Sequence, residues 1–326
     1  MRVLVTGGAG YVGSHAAQAL VASGHDVVIF DNLSEGHRAA VGNLPFVEAS
    51  LLDADRLVAA LKEHRIEAVM HFAAFAYVGV SVTDPAIYYH NNITGSLSLL
   101  DAMRTASVNR IVFSSSCATY GIPNRVPITE DHPQNPISPY GYTKLAFEHA
   151  LADYSRAYGL GYAALRYFNA SGAAADGTIG EDHDPETHLI PLVLQVALGQ
   201  RASVDIFGTD YPTPDGTCIR DYIHVDDLAA AHVAALEKLQ PGLALKLNLG
   251  TGHGASVQEV VDLCREVTGH PIPVRKCPRR EGDPPALVAD TSTANRELGW
   301  KAKHNIREII ASAWQWHSQH PQGYND

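Results

Sequence analysis

The spacing Gly7-x-x-Gly10-x-x-Gly13 stands directly after the β-type run Arg2-Val-Leu-Val-Thr6 and before a helical pattern from Ser14 to Ser23 that Gly24 closes. A strand, a glycine-rich turn and a helix in that order make a phosphate cradle. The turn lets backbone approach a pyrophosphate, and the helix N-terminus supplies free N–H groups and the positive end of its dipole. Gly7, Gly10, Tyr11, Val12 and Gly13 are therefore candidate dinucleotide contacts. The spacing is not the more familiar GxGxxG, so its weight comes from its place after a first strand.

A second β run, His25 to Phe30, ends in Asp31, 18 residues after Gly13 and near the distance at which an acid meets the adenosine ribose hydroxyls. A carboxylate there, with Asn32 beside it, repels a 2′-phosphate, so the expected cofactor is NAD rather than NADP. The alternation continues with strands at 45–48, 68–71, 110–114 and 162–167, and with helices at 53–64, 85–106 and 138–158. Strands separated by helices of this length make right-handed crossovers, which predicts an α/β fold with a doubly wound, Rossmann-type parallel sheet. Binding groups then gather at the carboxyl ends of the strands, where Gly7, Asp31, Ala73, Ser114 to Ser116 and Asn169 fall.

From Ala170 the pattern changes to loops rich in Gly, Asp and Pro, with an apolar helix at 189–198 between them. The expected division is a cofactor-binding domain over 1–170 plus about 218–250. The expected smaller α/β C-terminal substrate lobe covers 171–217 plus about 251–326.

Ser138-Pro-Tyr140-Gly-Tyr-Thr-Lys144 puts a phenol and an ammonium four residues apart, on one face of a helix. Ser138 suits the cap and Pro139 the first helical position. A neighbouring ammonium and the hydroxyls of a nicotinamide ribose would together lower the pKa of Tyr140 towards the range of a general base.

A net charge of −11 argues against a nucleic-acid surface, so anionic ligands must be met by local cations. Cys117, Cys218, Cys264 and Cys277 form neither a C-x-x-C pair nor a disulfide framework, and a reducing cytoplasm is expected. The N-terminus enters a strand at once, without the form of a signal peptide, and the apolar stretch 68–83 is too short and mixed to span a bilayer. Of the 17 His only His317 and His320 stand at H-x-x-H spacing and none in H-E-x-x-H, so no metal is expected.

With the serine run Ser114-Ser-Ser-Cys-Ala-Thr-Tyr120-Gly added to these motifs, the chain resembles the extended short-chain dehydrogenase/reductase family, and within it the branch that inverts nucleotide sugars at C4. The resemblance runs nearly to Trp300 and includes His71-Phe-Ala-Ala, Tyr88-Tyr-His-Asn-Asn92, Leu165-Arg-Tyr-Phe-Asn169, Gly216-Thr-Cys-Ile-Arg220-Asp-Tyr-Ile-His and Arg279-Arg-Glu-Gly-Asp283. It implies an isomerase that interconverts UDP-galactose and UDP-glucose through a 4-keto intermediate, with transient hydride transfer to tightly bound NAD. Tyr140, Lys144 and Ser116 would be catalytic. Ser50, Leu51, Phe72, Ala73, Ala74, Asn92, Ser114, Tyr167 and Phe168 would join the cofactor contacts, and Asn169, His188, Leu189, Phe207, Arg220, Arg280, Asp283 and Leu287 would hold the UDP-hexose.

Some positions depart from the family pattern. Ala49-Ser50-Leu51 stands where an Asp often contacts adenine, Ala76 where a lysine is common, and His188 where Asn is. Ser115-Ser116-Cys117 lacks the Asp-Glu pair that related dehydratases carry. Leu287 replaces a common Tyr and enlarges the pocket near the sugar C2, so UDP-N-acetylglucosamine is a further expected substrate. Competing readings are a 4-epimerase of UDP-glucuronate or a UDP-pentose, and a catalytically idle nucleotide-sensing module. Helices 85–106 and 138–158 carry apolar residues on more than one face, compatible with a helix-paired homodimer, as the family implies.

Overall fold

Alternating apolar side chains on the first strand decide the layering. In a computed structural model, Val3 and Val5 pack with Ala16, Ala17 and Leu20 of the helix Tyr11–Ala22, whereas Leu4 packs on the other side with Leu57, Leu61 and Leu99. Both sheet faces are thus covered by helices, as parallel sheets require. The structure describes residues 1–280 and 282–324. Glu281, within the Arg279–Asp283 motif, and Asn325 and Asp326, at the end of the expected second lobe, lie outside the described residues.

The described strands are β1 (Arg2–Thr6), β2 (Asp26–Asp31), β3 (Phe46–Glu48), β4 (Ala68–His71), β5 (Arg110–Ser116), β6 (Gly161–Tyr167), β7 (Asn169–Ser171), β8 (Val204–Phe207), β9 (Ile219–His224), β10 (Ala244–Leu249), β11 (Gly254–Ser256), β12 (Val274–Cys277) and β13 (Ala286–Leu287). Seven of them form one sheet in the order β10-β6-β5-β4-β1-β2-β3, with every neighbouring pair parallel. The chain runs outward from β1 to β3 and returns to the opposite side of β1 at β4. A crevice opens at the carboxyl ends of that β1/β4 pair.

A second body has its own core, where Ile190 and Val193 of the helix Leu189–Ala197 meet Val260 of the helix Val257–Thr268 and Ile309 of the helix Ile306–Gln319. Part of the expected return to the first body is observed: the helix Val225–Lys238 packs on the large sheet, and β10 joins its edge. Strand β9 differs and pairs with β7, β11 and β13 instead. The buried Asp221 carboxylate accounts for this by accepting N–H groups of Thr251, Gly252 and Ala289, which ties β9 to the loops that follow β10 and β13.

Ser138 caps the helix Pro139–Tyr158 by accepting the Gly141 N–H at 3.2 Å, and Gly159 ends it at φ 72°. The helix expected at 85–106 is not uniform. It runs as Pro85–Tyr88, a π turn over Tyr89–Gly95, then Ser96–Thr105. Within the wider turn Asn92 is buried, a frequent place for π turns to serve a site. Among the described residues no helix is long and apolar enough to cross a membrane.

Candidate active site

The glycine turn is built by backbone crowding. A Cβ on Gly7, whose φ is +73°, would lie 2.4 Å from the Ala73 nitrogen, and one on Gly13 would lie 2.1 Å from the Gly7 carbonyl. At Gly10 an added Cβ would meet only the Gly7 carbonyl at 3.5 Å, an ordinary contact. The fold itself does not demand glycine there, but a phosphate seated on the turn would. The helix begins at Gly10 without a side-chain cap, so its first amides have no side chain in front of them, as an anion site needs. Asp31 closes the turn from the end of β2: Oδ2 accepts the Ala9 N–H at 3.0 Å and Oδ1 the Leu33 N–H at 2.8 Å. Burial raises its pKa, and these N–H groups oppose the rise.

The other expected cofactor residues line the same strand ends. Phe72 and Ala73 both donate their N–H to the Thr6 carbonyl, at 2.8 and 3.1 Å, and hold the segment that includes Ala74 against β1. Asn32 Oδ1 accepts from Ser34, Ser50 Oγ accepts the Leu52 N–H, and the Leu51 side chain is buried in the core. Val12 packs partly against the core, and the Tyr11 hydroxyl donates to the Gly172 carbonyl at 2.7 Å.

Tyr140, Ser116 and Lys144 meet where the end of β5 faces the first turns of the helix Pro139–Tyr158. The Lys144 Nζ donates to the Ser114 carbonyl at 2.8 Å and sits 5.7 Å from the centre of the Tyr140 ring. The Ser116 Oγ accepts the Ala118 N–H at 3.1 Å and also engages the Tyr140 phenol. Ser114 and Tyr167 share a 2.6 Å hydroxyl contact. Asn92 braces this face by donating to the Phe75 carbonyl at 3.0 Å and to Thr143 Oγ1 at 3.3 Å.

The expectation that the ammonium lowers the tyrosine pKa does not hold for the protein alone. Burial pushes Tyr140 above its ordinary value, with the Ser116 contact offsetting part of the rise, and burial lowers Lys144 to about 7. The physical reason is desolvation: both groups lose water before either gains a counter-charge.

Leu287 and Cys117 are packed against a buried cluster of Tyr120, Ile128, Phe168 and Ala289, and Cys117 directly follows Ser116 in the chain. Leu287 is also in register with Arg220. Arg220 pairs with Asp283 and donates to the Ile219 carbonyl at 2.7 Å, so two expected substrate residues are ion-paired to each other. The Arg280 guanidinium lies 4.0 Å from the centre of the Phe207 ring and covers one of its faces. Asn169 donates to the Asp221 carbonyl at 2.9 Å. Leu189 packs into the core of the second body, and the partly exposed His188 is bound to Glu181.

Two clusters were not read from the sequence. Arg166 and Glu148 form a buried bidentate pair, with contacts of 2.9 and 2.6 Å. Ser115 donates to the same carboxylate at 2.6 Å, and Arg166 donates to the Tyr120 hydroxyl at 2.8 Å, which in turn donates to Asn248. Glu148 follows Lys144 by one helical turn, a spacing visible in the sequence whose partner on β6 is not. The second cluster joins Glu181, His183, Glu186 and His188, whose ligand atoms all lie within 4.8 Å of one another. Its spacing, E-x-H-x-x-E-x-H, escapes a search for paired histidines because glutamates alternate with them.

Comparison with known proteins adds an independent line. The NAD dependent epimerase/dehydratase family matches residues 3–250. A UDP-glucose 4-epimerase of Halalkalibacterium halodurans is 51% identical over 327 residues, covering 100% of this chain and 98% of that protein. The crystal structure of UDP-glucose 4-epimerase from Brucella ovis in complex with NAD superposes with a TM-score of 0.93 at 54% identity, covering 96% of this chain and 97% of that one. A UDP-glucose 4-epimerase from Stenotrophomonas maltophila, with bound NAD and formylated UDP-arabinopyranose, gives a TM-score of 0.95 at 44% identity, covering 99% of each chain.

Proposed function

The chain belongs to the NAD dependent epimerase/dehydratase family, and from that membership we propose that it is an isomerase interconverting UDP-glucose and UDP-galactose by inversion at C4. The observation that carries this reading is the convergence of Tyr140, Ser116 and Lys144 at the end of β5, beside a glycine turn with room for a pyrophosphate.

The residues fit NAD. The amides at Gly10 to Gly13 would take its pyrophosphate, Asp31 its adenosine ribose, and Tyr140 with Lys144 its nicotinamide ribose, with Asn92, Phe72 to Ala74 and Tyr167 around them. NAD bound there supplies a reversible hydride acceptor for the sugar C4. Tyr140 removes the proton of the sugar 4-hydroxyl, and Ser116 hydrogen-bonds O4 through both halves of the reaction. Lys144 neutralises the Tyr140 phenolate that accepts this proton and so becomes the phenol. Arg220, Arg280 and Asn169 retain the diphosphate, Phe207 offers its uncovered face to the uracil, and the 4-keto sugar turns about that anchor before the proton is returned.

In this reading residues 1–168 plus about 225–250 bind the cofactor, and the remainder, with β7 and β9, binds the UDP-sugar. The enzyme is cytoplasmic and pairs through the exposed apolar side chains of Val82, Ile87, Tyr89, Leu97 and Tyr142. Purified protein given UDP-galactose and no added cofactor is expected to form UDP-glucose. Absence of product with or without added NAD sinks the proposal, and UDP-glucuronate and a UDP-pentose serve as competing substrates in the same assay.

Leu287 extends the reading to acetylated sugars, because a leucine packed against the cluster of Tyr120, Ile128, Phe168 and Ala289 occupies less space than the tyrosine ring of the family pattern. UDP-N-acetylglucosamine is expected to be turned over by the wild type, and Leu287→Tyr is expected to reduce that turnover at least about 10-fold relative to UDP-glucose. An unchanged ratio of kcat/KM for the two sugars contradicts it.

A further inference from the structure

Four side chains between β7 and the helix Leu189–Ala197 meet in one cluster, and only His188 among them was expected to hold the UDP-hexose. The carboxylate side chains of Glu181 and Glu186 are only 3% and 5% exposed. His183 Nδ1 lies 3.4 Å from a Glu181 oxygen and 3.6 Å from a Glu186 oxygen, and His188 Nδ1 lies 3.7 Å from the other Glu186 oxygen and in contact with Glu181.

Ion pairing balances the charges, yet His183 Nδ1 sits buried between the two carboxylates at 3.4 and 3.6 Å, longer than ordinary hydrogen bonds. A tetrahedral ion with ligand bonds of ~2.1 Å needs donor atoms about 3.4 Å apart, close to the 3.4 and 3.6 Å between His183 Nδ1 and the two carboxylates, while the His188 and Glu181 atoms now in contact part to admit it. Two imidazole nitrogens and two carboxylate oxygens form a borderline donor set that suits zinc better than calcium or magnesium.

We propose that Glu181, His183, Glu186 and His188 bind one zinc ion. The His188 side chain is 48% exposed and opens the route by which the ion enters. The His183 ring lies edge-on to Tyr11 and Tyr77, at centroid distances of 6.2 and 5.9 Å. The ion is therefore structural: it fastens the segment after β7 over the start of the helix Tyr11–Ala22.

The test uses the full chain without a histidine tag, washed with EDTA, desalted and titrated with zinc chloride by calorimetry. One zinc per chain is expected, with a Kd below about 1 μM, and His183→Asn and Glu186→Gln are each expected to weaken it roughly 100-fold. Lack of saturable uptake overturns the proposal, as does uptake undiminished in both variants, which would put the metal on other histidines. Should the variants fail to fold, the zinc absorption edge of the loaded wild type decides. A shell of nitrogen and oxygen at ~2.0–2.1 Å is expected, and sulfur at ~2.3 Å overturns the assignment.

Discussion

Tyr140→Phe is expected to lower kcat for UDP-galactose by about 1,000- to 10,000-fold while leaving the affinity for UDP within about 2-fold. The substitution removes only the hydroxyl, and the ring keeps its place on the first turn of a helix that Ser138 caps from outside the site. What is lost is the atom proposed to accept the sugar proton. The phenol of the protein alone is held above its ordinary pKa by burial, and Lys144 is lowered to about 7 by the same burial. The site is thus a dry one in which a single added positive charge acts with little screening. Stopped-time conversion of UDP-galactose measures kcat, and calorimetry with UDP measures binding. Turnover above about a tenth of wild type would move the base to another residue, with Ser116 next in line.

The second large effect is on stability. Glu148→Leu is expected to cost about 3–5 kcal/mol, because it strands the Arg166 guanidinium inside the protein with its counter-ion gone. Both side chains are essentially inaccessible, and Ser115 also loses the acceptor that its hydroxyl uses. Replacing the two together, Glu148→Leu with Arg166→Met, is expected to recover most of the loss, since burying neither charge is cheaper than burying one. Urea unfolding of the three proteins, each saturated with NAD, gives the comparison. A single substitution costing under about 1 kcal/mol would show that water or another group reaches Arg166. The variant is also expected to lose activity through the neighbouring Ser116, which sits one residue further along β5.

The sheet was legible because its signals are local. The run Arg2–Thr6, the glycines after it and Asp31 at the end of β2 each announce a strand end on their own, and so does the Ser138-Pro139 start of the tyrosine helix. What escaped depends on partners far apart in sequence. Strand β9 looks like part of the first body until the Asp221 carboxylate is seen bonded to residues near 250 and 289. Arg166 could be assigned no role without Glu148, which lies on a different element 18 residues away. The Asn92 motif was found, but no residue type in Tyr89–Gly95 announces the π turn that buries it. Electrostatics was the least readable part: four residues between Tyr140 and Lys144 place the ammonium beside the ring, yet its nearest polar partner is a carbonyl of β5, and desolvation outweighs the attraction.

The edge position of β10 bears on how the polypeptide matures during synthesis. Residues 244–249 form the outermost partner of β6, although more than seventy residues, among them the β7, β8 and β9 strands of the second body, intervene between the two strands. A nascent chain that has emerged only to residue 217 has made the glycine turn, Tyr140 and Lys144, yet exposes one unpaired flank of β6, a surface on which other chains can add a strand. Completion of the first body therefore waits for a segment made after the opening part of the second, whose larger part, from about 251 on, is still to be made, and the two must acquire their shapes together rather than in succession.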